Sequence, residues 1–215
     1  MNKPRLLDLF CCAGGAAMGF YRAGFEVVGV DINPQPHYPF EFHQADALTY
    51  PLEGFDCYHA SPPCQKYSVA FSPLLGHKKE HPDLIAKTRE YLLPTNKPFD
   101  LENVHNAPLV NYIKLNGTMF GLHTKKERLF ELHGFEIMML PARLLNTSGM
   151  VKNGELIGLM QHTKYPKEVR ANKENLATAY GIDWTMTRHE LRQAIPPAYT
   201  EYIGKYLMQA IKENK

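Results

Sequence analysis

Apolar residues recur along the first third of the chain in short runs separated by turn-forming residues. Arg5-Leu6-Leu7-Asp8-Leu9-Phe10 predicts a buried strand, ending at the small-residue turn Cys11-Cys12-Ala13-Gly14-Gly15. Residues 16–23 read as a helix stopped by Gly24, and Phe25-Glu26-Val27-Val28-Gly29-Val30 predicts a second strand ending at Asp31. Asn33-Pro34-Gln35-Pro36 breaks the chain, and 42–45 predict a short third strand before Asp46. The runs at 55–60 and Phe99-Asp100-Leu101 predict further strands. Toward the C-terminus, Thr187 and Glu190 have the spacing of a capping box, and 199–211 read as an amphipathic helix through Tyr202, Ile203, Tyr206, Leu207 and Ile211. Strands alternating with helices imply an α/β class with a parallel sheet and right-handed crossovers. The chain shows no internal repeat and no low-complexity tract.

Chemistry enters after the 55–60 run, at Ser61-Pro62-Pro63-Cys64-Gln65. The prolines lack N–H donors and fix φ, so the chain leaves the strand there as a stiff loop. Cys64 is thereby expected at the carboxyl end of a strand, where open α/β sheets place their ligands. A single cysteine is either a small buried hydrophobe or a nucleophile. A proline-rich loop is a poor place for the former.

The acids at strand ends narrow the reading. In a doubly wound sheet, an acid ending the second strand faces the ribose of a bound nucleoside, and Asp31 stands there. Asp46 ends the next strand, where it can accept from an adenine amino group. The Gly14-Gly15 turn lets backbone approach the ligand. Turn formation alone also accounts for such aspartates; turn and acids together favour a nucleoside-containing cofactor. No Gly-x-x-x-x-Gly-Lys-Ser/Thr pattern is present, so nucleoside triphosphate hydrolysis is not supported.

These motifs resemble, in order and over nearly the whole chain, those of the DNA (cytosine-5) methyltransferases. Asp8-Leu9-Phe10-Cys11-Cys12-Ala13-Gly14-Gly15 resembles the opening cofactor motif, and Ser61-Pro62-Pro63-Cys64-Gln65 the nucleophile loop. Glu102-Asn103-Val104 resembles the element that holds the target base, and Thr124-Lys125-Lys126-Glu127-Arg128 the later Gln-x-Arg-x-Arg element. Ala194-Ile195-Pro196-Pro197 resembles the C-terminal motif that returns to the cofactor. The resemblance implies a Rossmann-like S-adenosylmethionine-dependent methyltransferase fold with a mixed, mostly parallel sheet. It implies Phe10, Gly14, Gly15, Asp31, Asp46 and Pro62 at S-adenosylmethionine, with S-adenosylhomocysteine as product. Cys64 would attack carbon 6 of a flipped cytosine while Glu102 and Arg128 grip the base. Gln65, Lys66, Ser68, Lys78, Lys79 and Lys126 would meet DNA, double-stranded DNA being the expected partner, as in restriction–modification.

Three departures from the family pattern stand out. Cys12 replaces a glycine and needs either a permissive φ or a shifted loop. Thr124 and Lys126 replace glutamine and the first arginine, the lysine keeping charge without the bidentate fork. Gln193 replaces an asparagine. Other readings stay open: a transfer-RNA cytosine-5 methyltransferase with the same motifs, and a catalytically silent nucleic-acid-binding relative. An amino-methyltransferase would carry an aromatic residue where Cys64 stands.

Composition adds the outer bounds. The 215 residues suffice for one α/β domain with a small appendage. The formal net charge of +2 is too small to imply nucleic acid by itself, so any basic surface must be local. One such segment is 66–82, with Lys66, Lys78, Lys79, His77 and His81, expected to be a closing loop. Another, 135–175, carries Arg143, Lys152, Lys164, Lys167, Arg170 and Lys173 against Glu155, Glu168 and Glu174, where the family inserts its target-recognition region. The expected division is a catalytic part at 1–134 and 185–215 and a short recognition insertion at 135–184. Four cysteines, two adjacent, form neither a disulfide framework nor a zinc pattern, so no metal is expected and a reducing, cytoplasmic setting in a prokaryote or phage-infected cell is. No signal peptide or membrane-spanning run is expected, and no membrane partner.

Overall fold

The computed structural model describes residues 2–67, 81–141, 151–152, 155–156 and 172–213. β1 (Arg5–Leu9) lies inside a seven-stranded sheet and is followed by α1 (Gly15–Arg22), β2 (Glu26–Asp31) and β3 (Glu41–Gln44). β4 (Cys57–Ala60) pairs with the other side of β1, and α2 (Ile85–Leu92) precedes β5 (Phe99–Asn103). β6 (Tyr112–Leu115) and β7 (Arg128–His133) complete the order β3-β2-β1-β4-β5-β7-β6. The five strands from β3 to β5 are parallel; β7 runs antiparallel to both β5 and β6. β8 (Val151–Lys152) and β9 (Glu155–Leu156) pair as a separate antiparallel ladder. α3 (Lys173–Tyr180), α4 (Arg188–Gln193) and α5 (Pro197–Glu213) follow. The sheet is thus mixed and mostly parallel, as expected.

The pleat sends alternate residues to opposite faces. Leu7, Leu9, Val28, Val30, Tyr58, Ala60 and Leu101 pack with Ile85 and Leu92 of α2. Leu6, Val27, Cys57 and Phe130 pack with Phe20 of α1 and with Tyr199, Ile203 and Leu207 of α5. β1 is covered on both sides, which is why it reads as an almost unbroken apolar run. Its exception, Asp8, is fully buried.

Strand ends differ slightly from the sequence pattern. Phe10 leaves β1 because it takes φ +60°, and β4 starts only at Cys57, leaving buried Phe55 in the preceding loop. The capping box forms: Thr187 Oγ1 accepts from the Glu190 N–H, and the Glu190 carboxylate accepts from the Thr187 N–H. Within the span expected as an insertion, Leu176, Ala179, Tyr180 and Ile182 pack with Ala13, Leu191 and Ala194. Among the described residues, no helix is long and apolar enough to cross a membrane.

Candidate active site

Chain connections leave β1 toward β2 on one side, while β4 lies on the other, which opens a crevice at the carboxyl ends of β1 and β4. Two loops meet there.

The first is the glycine turn. Phe10, Cys12 and Gly14 take φ of +60°, +46° and +82°. Cys11 N–H donates to the Val30 carbonyl at 3.1 Å, and Cys12 N–H to Asp31 Oδ2 at 3.1 Å. Cys12 thus adopts the permissive φ that the family's glycine would have there. Asp31 Oδ1 accepts from the Asn33 N–H at 2.9 Å, and Ile32 beside it is 66% exposed. Asp46, exposed at the end of β3, accepts from the Leu48 N–H at 2.9 Å. Gly15 opens α1 beneath the C-terminal motif: a Cβ there would lie 2.5 Å from the Ile195 oxygen and 2.9 Å from its nitrogen. Only a residue without a side chain admits that approach. Trp184 Nε1 donates to the Ala13 carbonyl at 3.3 Å, closing the turn from α4's side.

The second loop carries Cys64. Ser61 N–H donates to the Leu9 carbonyl at 3.1 Å and its hydroxyl to the Phe10 carbonyl at 3.2 Å. Buried Asn103, at the end of β5, donates from Nδ2 to the Pro62 carbonyl at 2.9 Å. The loop is therefore tied to both neighbouring strands before Cys64 is reached. Pro62 is buried and Cys64 half-buried. Glu102, one residue before the end of β5, is 6% exposed. Arg128, first residue of β7, brings Nε to 2.9 Å from Glu102 Oε1, an ion pair without hydrogen-bond alignment. Its Nη1 donates to the Glu127 carbonyl at 2.8 Å.

Burial and then the Glu102 carboxylate raise the Cys64 thiol, while Arg128 opposes the shift. Burial raises Glu102 against Arg128 and His59. The Cys11 and Cys12 thiols are raised by burial and face carboxylates; Cys64 faces Arg128 and Lys126 as well, the environment in which a thiolate is less costly.

Gln65 is half-buried beside Cys64, and Lys66 is exposed with Nζ 3.0 Å from Asp83 Oδ2. Ser68, Lys78 and Lys79 lie outside the described residues. Lys126 departs from its expected DNA-facing place. Its ammonium is buried, donating to the Arg192 carbonyl at 2.8 Å and standing 4.2 Å from the Tyr180 ring centroid. Burial, then the like charge of Arg128, hold it well below an ordinary lysine. The last carbonyls of α4 attract it as a helix C-terminus attracts any cation. The reading of motifs passed over Asn103 and Tyr199; the Tyr199 hydroxyl donates to the Lys126 carbonyl at 2.7 Å. Asn103 had a signal, its place beside Glu102, whereas Tyr199 had only its apolar spacing. Among the described residues, no group of His, Cys, Asp and Glu side chains could hold a metal ion.

A family model for the C-5 cytosine-specific DNA methylases matches residues 4–114, which include Cys64 and Glu102. The chain belongs to this family. It is a cytosine methyltransferase with the Rossmann-like fold of S-adenosylmethionine-dependent methyltransferases. Solved relatives share that fold at low identity. An E. coli protein assigned as a DNA modification methyltransferase encoded within a prophage matches at TM-score 0.61 and 15% identity, over 98% of this chain and 100% of that one. The Dnmt2 methyltransferase of S. pombe matches at 0.60 and 12%, over 97% and 99%. The Entamoeba histolytica methyltransferase EhMeth matches at 0.58 and 12%, over 100% and 99%. A 92-residue stretch is 32% identical to human indoleamine 2,3-dioxygenase 2, covering 40% of this chain and only 22% of that protein.

Proposed function

We propose that this member of the family transfers a methyl group from S-adenosylmethionine to carbon 5 of cytosine in DNA, through a covalent bond from Cys64 to carbon 6 of an extruded base. The observation that carries the reading is the convergence of a strand-tethered Cys64 loop with a buried Glu102–Arg128 pair at one sheet edge. A bare glycine turn, the Asp31 carboxylate and the exposed apolar Ile32 suit the nucleoside half of the methyl donor. Asp31 would take the ribose hydroxyls, Asp46 the adenine amine, and Ile32 a face of the adenine, with Phe10, Gly14, Gly15 and Pro62 around them. When bound, S-adenosylmethionine supplies an electrophilic methyl group on a sulfonium.

Carbon 5 of cytosine is a poor nucleophile. The Cys64 thiolate adds to carbon 6, and the ring's electron pair moves to carbon 5. Glu102 gives a proton to N3, and Arg128 donates to O2, where charge gathers. After methyl transfer, a base removes the carbon-5 proton, its electron pair re-forms the double bond as the bond to Sγ breaks with its pair on sulfur, and N3 returns its proton to Glu102. Gln65 and Lys66, with Ser68, Lys78 and Lys79, would meet the nucleic acid near the nucleophile. Residues 1–134 and 185–215 form the catalytic part in this reading, and 135–184 a short recognition insertion whose last helix packs on the cofactor turn.

Labelled S-adenosylmethionine should transfer methyl to mixed-sequence duplex DNA, with product mapping to 5-methylcytosine. Labelling of transfer RNA with none on DNA would replace the substrate in this reading. Labelling of neither would favour a silent binding protein.

A further inference from the structure

Behind the Glu102–Arg128 pair, the sheet's α1 and α5 face contains charge where apolar residues would serve packing. His59 on β4 stands in register with Asp8 of β1 on one side and Asp100 of β5 on the other. Neighbours in register project to the same face, so the three form a row across the sheet. Glu102 follows Asp100 by two residues and so lies on that face, one step nearer the carboxyl edge. Asp8, His59 and Asp100 are fully buried, and the Phe20 ring of α1 lies 5.2 Å from the imidazole. His59 Nδ1 meets Asp100 Oδ2 at 2.7 Å, and Asp8 Oδ2 accepts from the Tyr38 hydroxyl at 3.2 Å. Asp8 Oδ1, His59 Nε2, Asp100 Oδ1 and Glu102 Oε1 are buried with no hydrogen-bond partner among the described residues. Their charges act on one another through the buried interior, where Coulomb interactions reach further than in water. Apolar residues often replace a buried ion pair at no loss of stability, so packing alone does not call for this row.

We propose that His59, oriented by Asp100, is a positioning residue of the reaction: its buried cation acts on Glu102 and decides which of Glu102 and Cys64 is protonated. The inference rests on the roles given above to Glu102 and Cys64. Burial alone would lower His59, but the Asp100 carboxylate and its hydrogen bond raise it to about 9. A raised histidine is cationic below its pKa, so His59 stays charged through neutral pH and loses its charge only as pH rises through about 9. Burial pushes Asp8 up to about 7, against the pull of His59. Glu102 therefore faces Arg128, His59 and Lys126, which favour its carboxylate, and Asp100, which opposes it more weakly than His59 favours it. The Cys64 and Cys12 thiols in turn feel the Glu102 charge, as does Tyr199.

Two arrangements of one proton follow: thiol with carboxylate, or thiolate with carboxylic acid. The reaction needs the second, formed when the proton passes from Sγ to a Glu102 oxygen, leaving its electron pair on sulfur for carbon 6. His59 favours the first, so the nucleophile rests as a thiol until a base enters.

The test is the titration of Glu102, followed by 13C NMR in protein carrying 13C-carboxyl glutamate and assigned with Glu102→Gln. Two variants remove the charges of His59 and Asp100: His59→Leu with Asp100→Leu, and His59→Gln with Asp100→Asn, which keeps a neutral hydrogen bond should the apolar pair not fold. Each should move the Glu102 titration to higher pH and raise the rate of Cys64 alkylation by iodoacetamide at neutral pH. A titration that stays in place or moves down in a folded variant overturns the inference. The upward shift supports the coupling of His59 to Glu102, whereas methyl transfer by Glu102→Gln at the wild-type rate would remove Glu102 from the proposed mechanism and, with it, the positioning role of His59.

Discussion

The two walls of the crevice are built differently. The proposed cofactor wall is backbone against backbone: the positive φ values of Phe10, Cys12 and Gly14, and Ile195 laid on Gly15. The proposed base wall is side chain against side chain: Glu102 against Arg128, with Asn103 holding the Cys64 loop. A wall made of backbone fails when a side chain is added. A wall made of buried charge fails when charge is removed, because the partner is left uncompensated. Substitutions on one wall should therefore leave the other's function standing.

The largest separation is expected on the base wall. Glu102→Gln should slow methyl transfer by about 100-fold or more, the scale of a lost acid or electrostatic group. Calorimetry should find its affinity for S-adenosylmethionine unchanged; a parallel loss of both would mean that the walls are not independent. On the cofactor wall, Gly15→Ala drives a Cβ into the Ile195 backbone. Overpacking of this kind costs about 1–3 kcal/mol, to be read in the denaturation midpoint together with weaker cofactor binding. Asp31→Ala should weaken the cofactor by about 1–3 kcal/mol through lost hydrogen bonds. Its stability also bears watching, since Asp31 holds the Cys12 N–H. The smallest effect is a gain: Cys12→Gly relieves a left-handed residue and should stabilise the protein by about 1 kcal/mol. A loss of stability there would show that the thiol's packing outweighs its backbone strain.

The sequence made the backbone-built wall easy to read. Glycines, prolines and strand-end acids report local conformation, and local conformation is what the glycine turn and the Ser61-Pro62-Pro63 loop consist of. Cys64, Glu102 and Arg128 were legible as motif members, while the 2.9 Å approach of Glu102 and Arg128 depends on β7 inserting antiparallel beside β5, a long-range pairing. Lys126 misled for the same reason. Its charge suggests a phosphate contact, and only the folded position of α4 shows which carbonyls take the ammonium. The Asp8–His59–Asp100 row was invisible because its neighbouring members lie 51 and 41 residues apart and meet only through strand register. His59 and Asp100 read as interruptions of apolar runs until the register is known.

The central claim is the bond between Cys64 and carbon 6, and duplex DNA carrying 5-fluorocytosine tests it directly. Fluorine cannot leave carbon 5 as the proton does, so the covalent complex should be trapped once methyl has been transferred. With S-adenosylmethionine present, the account predicts a denaturation-resistant adduct that maps to Cys64 and is absent in Cys64→Ser. An adduct on Cys11, Cys12 or Cys57, or wild-type methylation by Cys64→Ser, would contradict it.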